Sequence, residues 1–131
     1  MENIINAIKI GCTFAGTALG YFFGGFDVML ITLIVFMIID YVSGVINAVV
    51  KKKLDSSIGA KGIAKKIYIL LLVGAINLLG NAMGIEGLRY IVISFYLANE
   101  GISIIENASK IGVPVPQKIK DVLEQLKTKD Q

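Results

Sequence analysis

Two long apolar runs constrain this chain more than any other feature. Ile67 to Ile85 carries no charge at all, and Val28 to Val50 is apolar apart from Asp40. Each is close to the roughly 20 helical residues that cross a hydrocarbon core about 30 Å thick. Two further stretches flank them. Ile10 to Phe26 is uncharged and extends back through Lys9 to about Ile4, and Leu88 to Ile105 is interrupted by Arg89 and Glu100. Four crossings use about 80 residues and leave about 50 for loops and a tail. Of the 131 residues 55% are hydrophobic and only 18% charged, with a mean hydropathy of +0.73. That is too little polar material to cover a water-facing surface. The expected fold is all-α: an integral membrane protein with three to four transmembrane helices. Residues 1–112 would form the membrane domain, with spans at about 4–24, 28–50, 67–85 and 88–107 and a basic loop over 51–66. Residues 113–131 would form a basic cytoplasmic tail.

The residue inventory removes most catalytic chemistry. The chain has no His and a single Cys, Cys12, so His-based triads, Cys/His pairs and zinc sites with Cys or His ligands are absent. An enzyme is not expected, nor is a cofactor or a metal. One Cys permits no internal disulfide, and a lone thiol in an apolar segment reads as a packing residue.

Charge placement sets the topology. The net charge is +3, from 13 basic and 10 acidic residues, and the lysines are clustered. Lys51, Lys52, Lys53, Lys61, Lys65 and Lys66 stand against one acid, Asp55, between the second and third spans. Lys110, Lys118, Lys120, Lys127 and Lys129 follow Glu106. Short loops rich in Lys and Arg stay in the cytoplasm, so this loop and the tail are expected there, and no nucleic acid is needed to explain the charge. With four spans the N-terminus is also inside. With three, residues 1–24 lie in the interface or outside; both schemes stay open. Arg89, near the outer end of the last span, could pair with Glu86 three residues earlier. No cleavable export signal is evident. Val113 to Pro116 cannot continue a helix. A short amphipathic helix over about Gln117 to Lys127 then puts Ile119, Val122, Leu123 and Leu126 on one face, either as a surface helix on anionic lipid or as a soluble tail.

Every span has two faces. On the fourth, Tyr96, Asn99, Glu100, Ser103, Glu106 and Asn107 share one stripe at helical spacing; on the second, Thr32, Asp40, Ser43 and Asn47 do. The third collects Gly74, Asn77, Gly80, Asn81 and Gly84, and the first Asn6, Lys9, Thr13, Gly16, Thr17 and Gly20. A carboxylate facing lipid at mid-depth is expensive, so Asp40 and Glu100 must face other helices or water. The repeats Gly16, Gly20, Gly24 and Gly80, Gly84 allow close backbone approach within the bundle or between copies. Packing inside a single bundle would account for the small residues and some polar glue. The number of carboxylates, amides and hydroxyls goes further, toward self-association around water.

Several segments in order carry a family resemblance. They are Asp40-Tyr41-Val42-Ser43-Gly44; Lys53-Leu54-Asp55-Ser56-Ser57 with Gly59-Ala60-Lys61-Gly62 and Lys65-Lys66; Phe95-Tyr96-Leu97-Ala98-Asn99-Glu100 with Ser103-Ile104 and Glu106-Asn107; and Gly112-Val113-Pro114-Val115-Pro116. Together, over about residues 25 to 125, they closely resemble the bacteriophage holin family of the toxin secretion/phage lysis type.

The resemblance implies a phage or prophage protein that accumulates in the host cytoplasmic membrane and assembles into lesions. These let an endolysin reach the peptidoglycan or, in some clostridial relatives, release a large toxin. The implied partners are further copies of the chain and the lipid bilayer, with endolysin or toxin as functional partners that need not be touched. Joined to the stripes, it implies that Asp40, Ser43, Asn47, Asn99, Glu100, Ser103 and Glu106 pack together in small assemblies and later line a shared aqueous lumen. Membrane potential would contribute about 2.3 kcal/mol per charge moved through 100 mV. Two other classes fit the composition. A small proton-coupled exporter would carry its acid in the first span beside an aromatic cage, whereas that span here has no acid and the chain no Trp. A passive membrane anchor would leave the polar stripes without a purpose.

Overall fold

The computed structural model describes the backbone of residues 1–129 and the side chains through Gln125; Leu126, Lys127 and Lys129 fall outside the described side chains. Five helices follow one another: α1 (Glu2–Phe23), α2 (Val28–Val50), α3 (Ser56–Met83), α4 (Leu88–Lys110) and α5 (Gln117–Lys129), with no strand among the described residues. Three of them, α2, α3 and α4, are long and apolar enough to cross a membrane.

Local chemistry sets the boundaries. Asp27 starts α2 by accepting a hydrogen bond from the Leu30 amide at 3.1 Å, which satisfies one of the orphan donors of a first turn. Asp55 starts α3 in the same way, its Oδ1 accepting from the Ser57 amide at 2.8 Å and the Ser57 hydroxyl at 2.7 Å. The expected basic loop 51–66 is therefore shorter than the lysine run implied. Lys61, Lys65 and Lys66 stand on α3 itself, and only Lys51, Lys52 and Lys53 remain in the connection. Gly24 and Gly84 end α1 and α3 in the left-handed conformation, at φ 77° and 66°. Without a Cβ each adopts it cheaply. The sequence placed both on helix-packing faces; the structure makes both helix stops, and Gly24 is also packed closely against Asn77 and Arg89. Gly80 does pack closely, against the Ile85 carbonyl and Leu88.

α2 and α4 form the tightest pair, and α3 packs on α4 more than on α2. Between them Leu30, Leu33, Met37, Val73, Val92 and Ile93 make a small buried core. Outside it the surface is apolar: Ile31, Val35, Ile38, Val42 and Ile46 on α2, Leu71 and Leu79 on α3 and Ile91 on α4 are all exposed. In water such a belt would be a severe liability. Against lipid it is the expected outer surface.

α1 departs from the bundle. It buries no residue, and positions 1–19 are all exposed. Thr13 and Thr17 satisfy their hydroxyls within the helix by donating to the carbonyls of Lys9 and Thr13, each at 2.8 Å. Gly16 has open space beside it and Gly20 meets only the edge of Phe26, so neither brings helices together within one chain. Contact is confined to the last turn, where the Phe22 ring lies directly on Gly74 and leaves no room for a side chain there. Gly74→Leu is expected to destabilise this junction by about 1–3 kcal/mol. Loss of crosslinking between cysteines placed at the α1 and α3 ends would register it, whereas unchanged crosslinking would show that Phe22 moves aside freely.

The expected short C-terminal helix is present, as α5 (Gln117–Lys129). After the Gly112 turn and the prolines, α5 folds back along α4, with the Leu123 methyl groups against Gly101. Ile119 and Val122 remain about half exposed.

Candidate functional site

Two polar layers interrupt the apolar interior, separated by about 17–20 Å along the helices at about 1.5 Å rise per residue. The hydrophobic core fills the space between them.

The inner layer is a three-helix ionic cluster. Lys66 Nζ on α3 donates to Asp40 Oδ2 on α2 at 2.6 Å and to Glu100 Oε2 on α4 at 2.8 Å. Next to it, Asn107 Nδ2 donates to Asp40 Oδ1 at 3.1 Å and Ser43 Oγ at 2.9 Å, and Asn47 Nδ2 donates to the Asn107 carbonyl at 2.9 Å. Asn47 Oδ1 is buried with no partner. The stripes expected on α2 and α4 thus meet through Asp40, Ser43, Asn47, Glu100 and Asn107. Tyr96, Asn99 and Ser103 line a cavity of about 490 Å³ beside the cluster, which extends to Lys53, Leu54 and Asp55 in the α2–α3 connection. Tyr41 lies across Gly59 and Gly62 of α3, so two of the segments that carry the family resemblance touch there. Glu106 departs from the expected stripe. It is exposed and borders a separate groove with Lys110 and Lys120, because α4 turns that face toward α5.

Lys66 was the residue sequence reasoning assigned elsewhere, to the basic loop. Two acids inside apolar spans require a compensating cation, and Lys66 borders the uncharged run of the remaining helix. That was the available signal.

The outer layer holds the α1–α2 turn. Arg89 Nη1 and Nη2 bind Asp27 Oδ2 and Oδ1 at 2.7 and 3.0 Å, Nη2 also donates to the Gly25 carbonyl at 3.0 Å, and Nε donates to that of Phe23 at 2.5 Å. The expected partner Glu86 is replaced by Asp27. Glu86 sits in an exposed turn, whereas Arg89 is 8% exposed and aims at the turn that offers both charge and carbonyls. Asn77 Nδ2 donates to the carbonyls of Phe22 at 3.0 Å and Tyr21 at 3.4 Å, and Gly25 N donates to that of Gly20 at 2.8 Å. All four orphan carbonyls at the end of α1 are therefore satisfied, the condition for burying a helix end. Hydrogen bonds from Arg89, with help from the Leu30 amide, hold the Asp27 carboxyl below its usual range. A depressed carboxylate contributes stability above its unfolded value of about 3.9 and loses it as pH falls through the folded value. Docking of α1 should therefore be constant from neutral pH to about 4 and weaken below it; amide exchange at residues 20–27 measures this.

This layered bundle with a lipid-compatible exterior has relatives in sequence. The bacteriophage holin family model matches residues 17–128. The chain belongs to the bacteriophage holin family. A Clostridium perfringens relative, described as an uncharacterized 14.9 kDa protein in the nagH 3′ region, is 47% identical over 98% of this chain and 99% of its own length. Relatives described as uncharacterized proteins in Clostridium acetobutylicum and Listeria innocua are each 41% identical, over 83% and 88% of this chain and 89% and 84% of their own lengths. No solved structure matches. As a holin-family protein the chain is membrane-associated, in agreement with its three apolar helices.

Proposed function

We propose that the chain is a holin in the working sense: it accumulates in the bacterial cytoplasmic membrane and self-assembles into water-lined lesions that release an endolysin or a large toxin. The observation that carries this reading is the inner layer. Charged and amide groups from three lipid-clad helices converge beside a cavity that extends to the basic connection. Such groups are tolerated at membrane depth only when paired or wetted. In the single bundle Asp40, Glu100 and Asn107 find partners within the protein. In an assembly the same face of α2 and α4, with Asp40, Ser43, Asn47, Asn99, Glu100 and Ser103, borders water. The antiparallel helices gather Lys51–Lys53, Lys61, Lys65 and Lys110 at one end, which supports a cytoplasmic C-terminus. α1, with Gly16 and Gly20 uncovered, supplies the surface for contacts between copies.

Glu100→Gln and Asp40→Asn, tested separately in a host carrying an endolysin, should each delay or abolish lysis without changing membrane accumulation. Normal timing in both would remove these residues from the mechanism. Replacing Gly16 and Gly20 together with Leu should reduce crosslinking between copies several-fold; undiminished crosslinking would confine the glycines to a local role.

A further inference from the structure

The inner cluster is electrically unbalanced. Lys66 brings one ammonium to two carboxylates, so the fully ionised cluster carries one net negative charge, and Glu100 within it is only 6% exposed. Unbalanced charge at that burial is strongly disfavoured. The geometry offers a remedy. Glu100 Oε2 is engaged by Lys66, while Oε1 accepts from no donor among the described residues. The Glu100 and Asp40 carboxyls converge on the same ammonium, at 2.8 and 2.6 Å from Lys66 Nζ. Asp40 Oδ1 is held by Asn107, which fixes the orientation of that carboxyl. The adjoining cavity reaches the α2–α3 connection and so provides a water route.

We propose that Asp40, Lys66 and Glu100 form a binding site for one proton, delivered through this cavity and shared between the two carboxyls while Lys66 remains an ammonium. The proton comes from water and returns to it, and no other bond is made or broken. The filled site is neutral; the empty one is charged. The other ionisable groups facing the cavity are Tyr41 on α2, Lys53 and Asp55 in the connection, Lys65 on α3 and Tyr96 on α4. Lys53, Asp55 and Lys65 are exposed at the mouth, and a tyrosine hydroxyl carries no positive charge in either form, so none supplies the missing positive charge at depth. A metal cation would compete for space with the Lys66 ammonium between the same oxygens. A proton needs no such space. One consequence rests on the proposed lumen: the neutral site keeps α2, α3 and α4 clasped, and loss of the proton favours their hydration.

The test uses the full chain in phosphatidylcholine–phosphatidylglycerol liposomes, with infrared detection of the protonated carboxyl C=O stretch as pH is varied. The wild type is expected to show one such carboxyl at neutral pH that disappears at alkaline pH. Both Glu100→Gln and Asp40→Asn should lose it, because the remaining carboxylate is balanced by Lys66. Lys66→Gln should keep it to higher pH. The proposal is overturned if the wild type lacks the band while circular dichroism shows intact helices, or if the band survives in both carboxyl variants. It is also overturned if exchanging choline chloride for sodium chloride at constant pH abolishes the band, which would assign the site to a metal cation. Dye leakage from the same liposomes separates the two readings: a titrating band without leakage at any loading would uphold the proton site and remove the lumen.

Discussion

Lys66→Met is expected to destabilise the bundle by about 3–5 kcal/mol, the usual consequence of removing one member of a buried ionic cluster. The loss has two parts. Asp40 and Glu100 lose the cation they share inside apolar spans, and the ionic bridge from α3 to α2 and α4 disappears, although Tyr41 still lies on Gly59 and Gly62. Titration from mild detergent into denaturing detergent, followed by circular dichroism, measures the change. The triple variant Asp40→Asn, Lys66→Met, Glu100→Gln should recover most of the loss, since removing all the charges also removes the desolvation penalty. If Lys66→Met alone were neutral, the cluster would already be open to water in the closed state.

The second large effect concerns Arg89→Ala. This change removes two contacts to Asp27 and leaves the carbonyls of Phe23 and Gly25 without their donor. Breaking one partner of a nearly buried charge pair costs about 3–5 kcal/mol, with unsatisfied carbonyls included in the upper part of that range. Because α1 touches the bundle only through its last turn, the damage should be local. Amide exchange at residues 20–27 should accelerate sharply while α2 and α4 stay protected. Arg89→Lys should recover little, since an ammonium cannot reproduce the fork that reaches Asp27, Phe23 and Gly25 together. The partner change, Asp27→Asn, is expected to lose about 1 kcal/mol or less, because that side chain is 39% exposed and its screening by water is substantial. Equal losses from both substitutions would mean that the ion pair, and not the carbonyl contacts, holds the turn.

The apolar runs predicted α2 and most of α3 and α4 because period and length are local properties of the chain. The polar stripes were legible for the same reason: helical spacing alone brings Asp40, Ser43 and Asn47 to one face, and Asn99, Glu100 and Ser103 to another. What escaped was pairing across helices. Nothing local tells Arg89 to prefer Asp27, remote in sequence, over nearby Glu86, or tells Lys66 to leave a basic run for two buried acids. The glycine repeats did not announce that Gly24 and Gly84 lie at helix ends, where the same residue that permits close packing, as Gly24 does toward Asn77 and Arg89, also permits a left-handed stop. α3 began early because Asp55 caps it, a signal that the surrounding lysines concealed.

The most direct test of the shared lumen is thiol accessibility in living cells. With Cys12 replaced by Ser, cysteines placed separately at Ser103, which lines the inner cavity, and at Ile91, which faces outward, are exposed to a membrane-impermeant maleimide before and after the onset of lysis. The Ser103→Cys variant should become reactive only at onset, with Ile91→Cys silent throughout. Equal reactivity at the two positions, or a silent Ser103→Cys in cells that have begun to lyse, would contradict a water-lined passage built from the inner faces of α2 and α4.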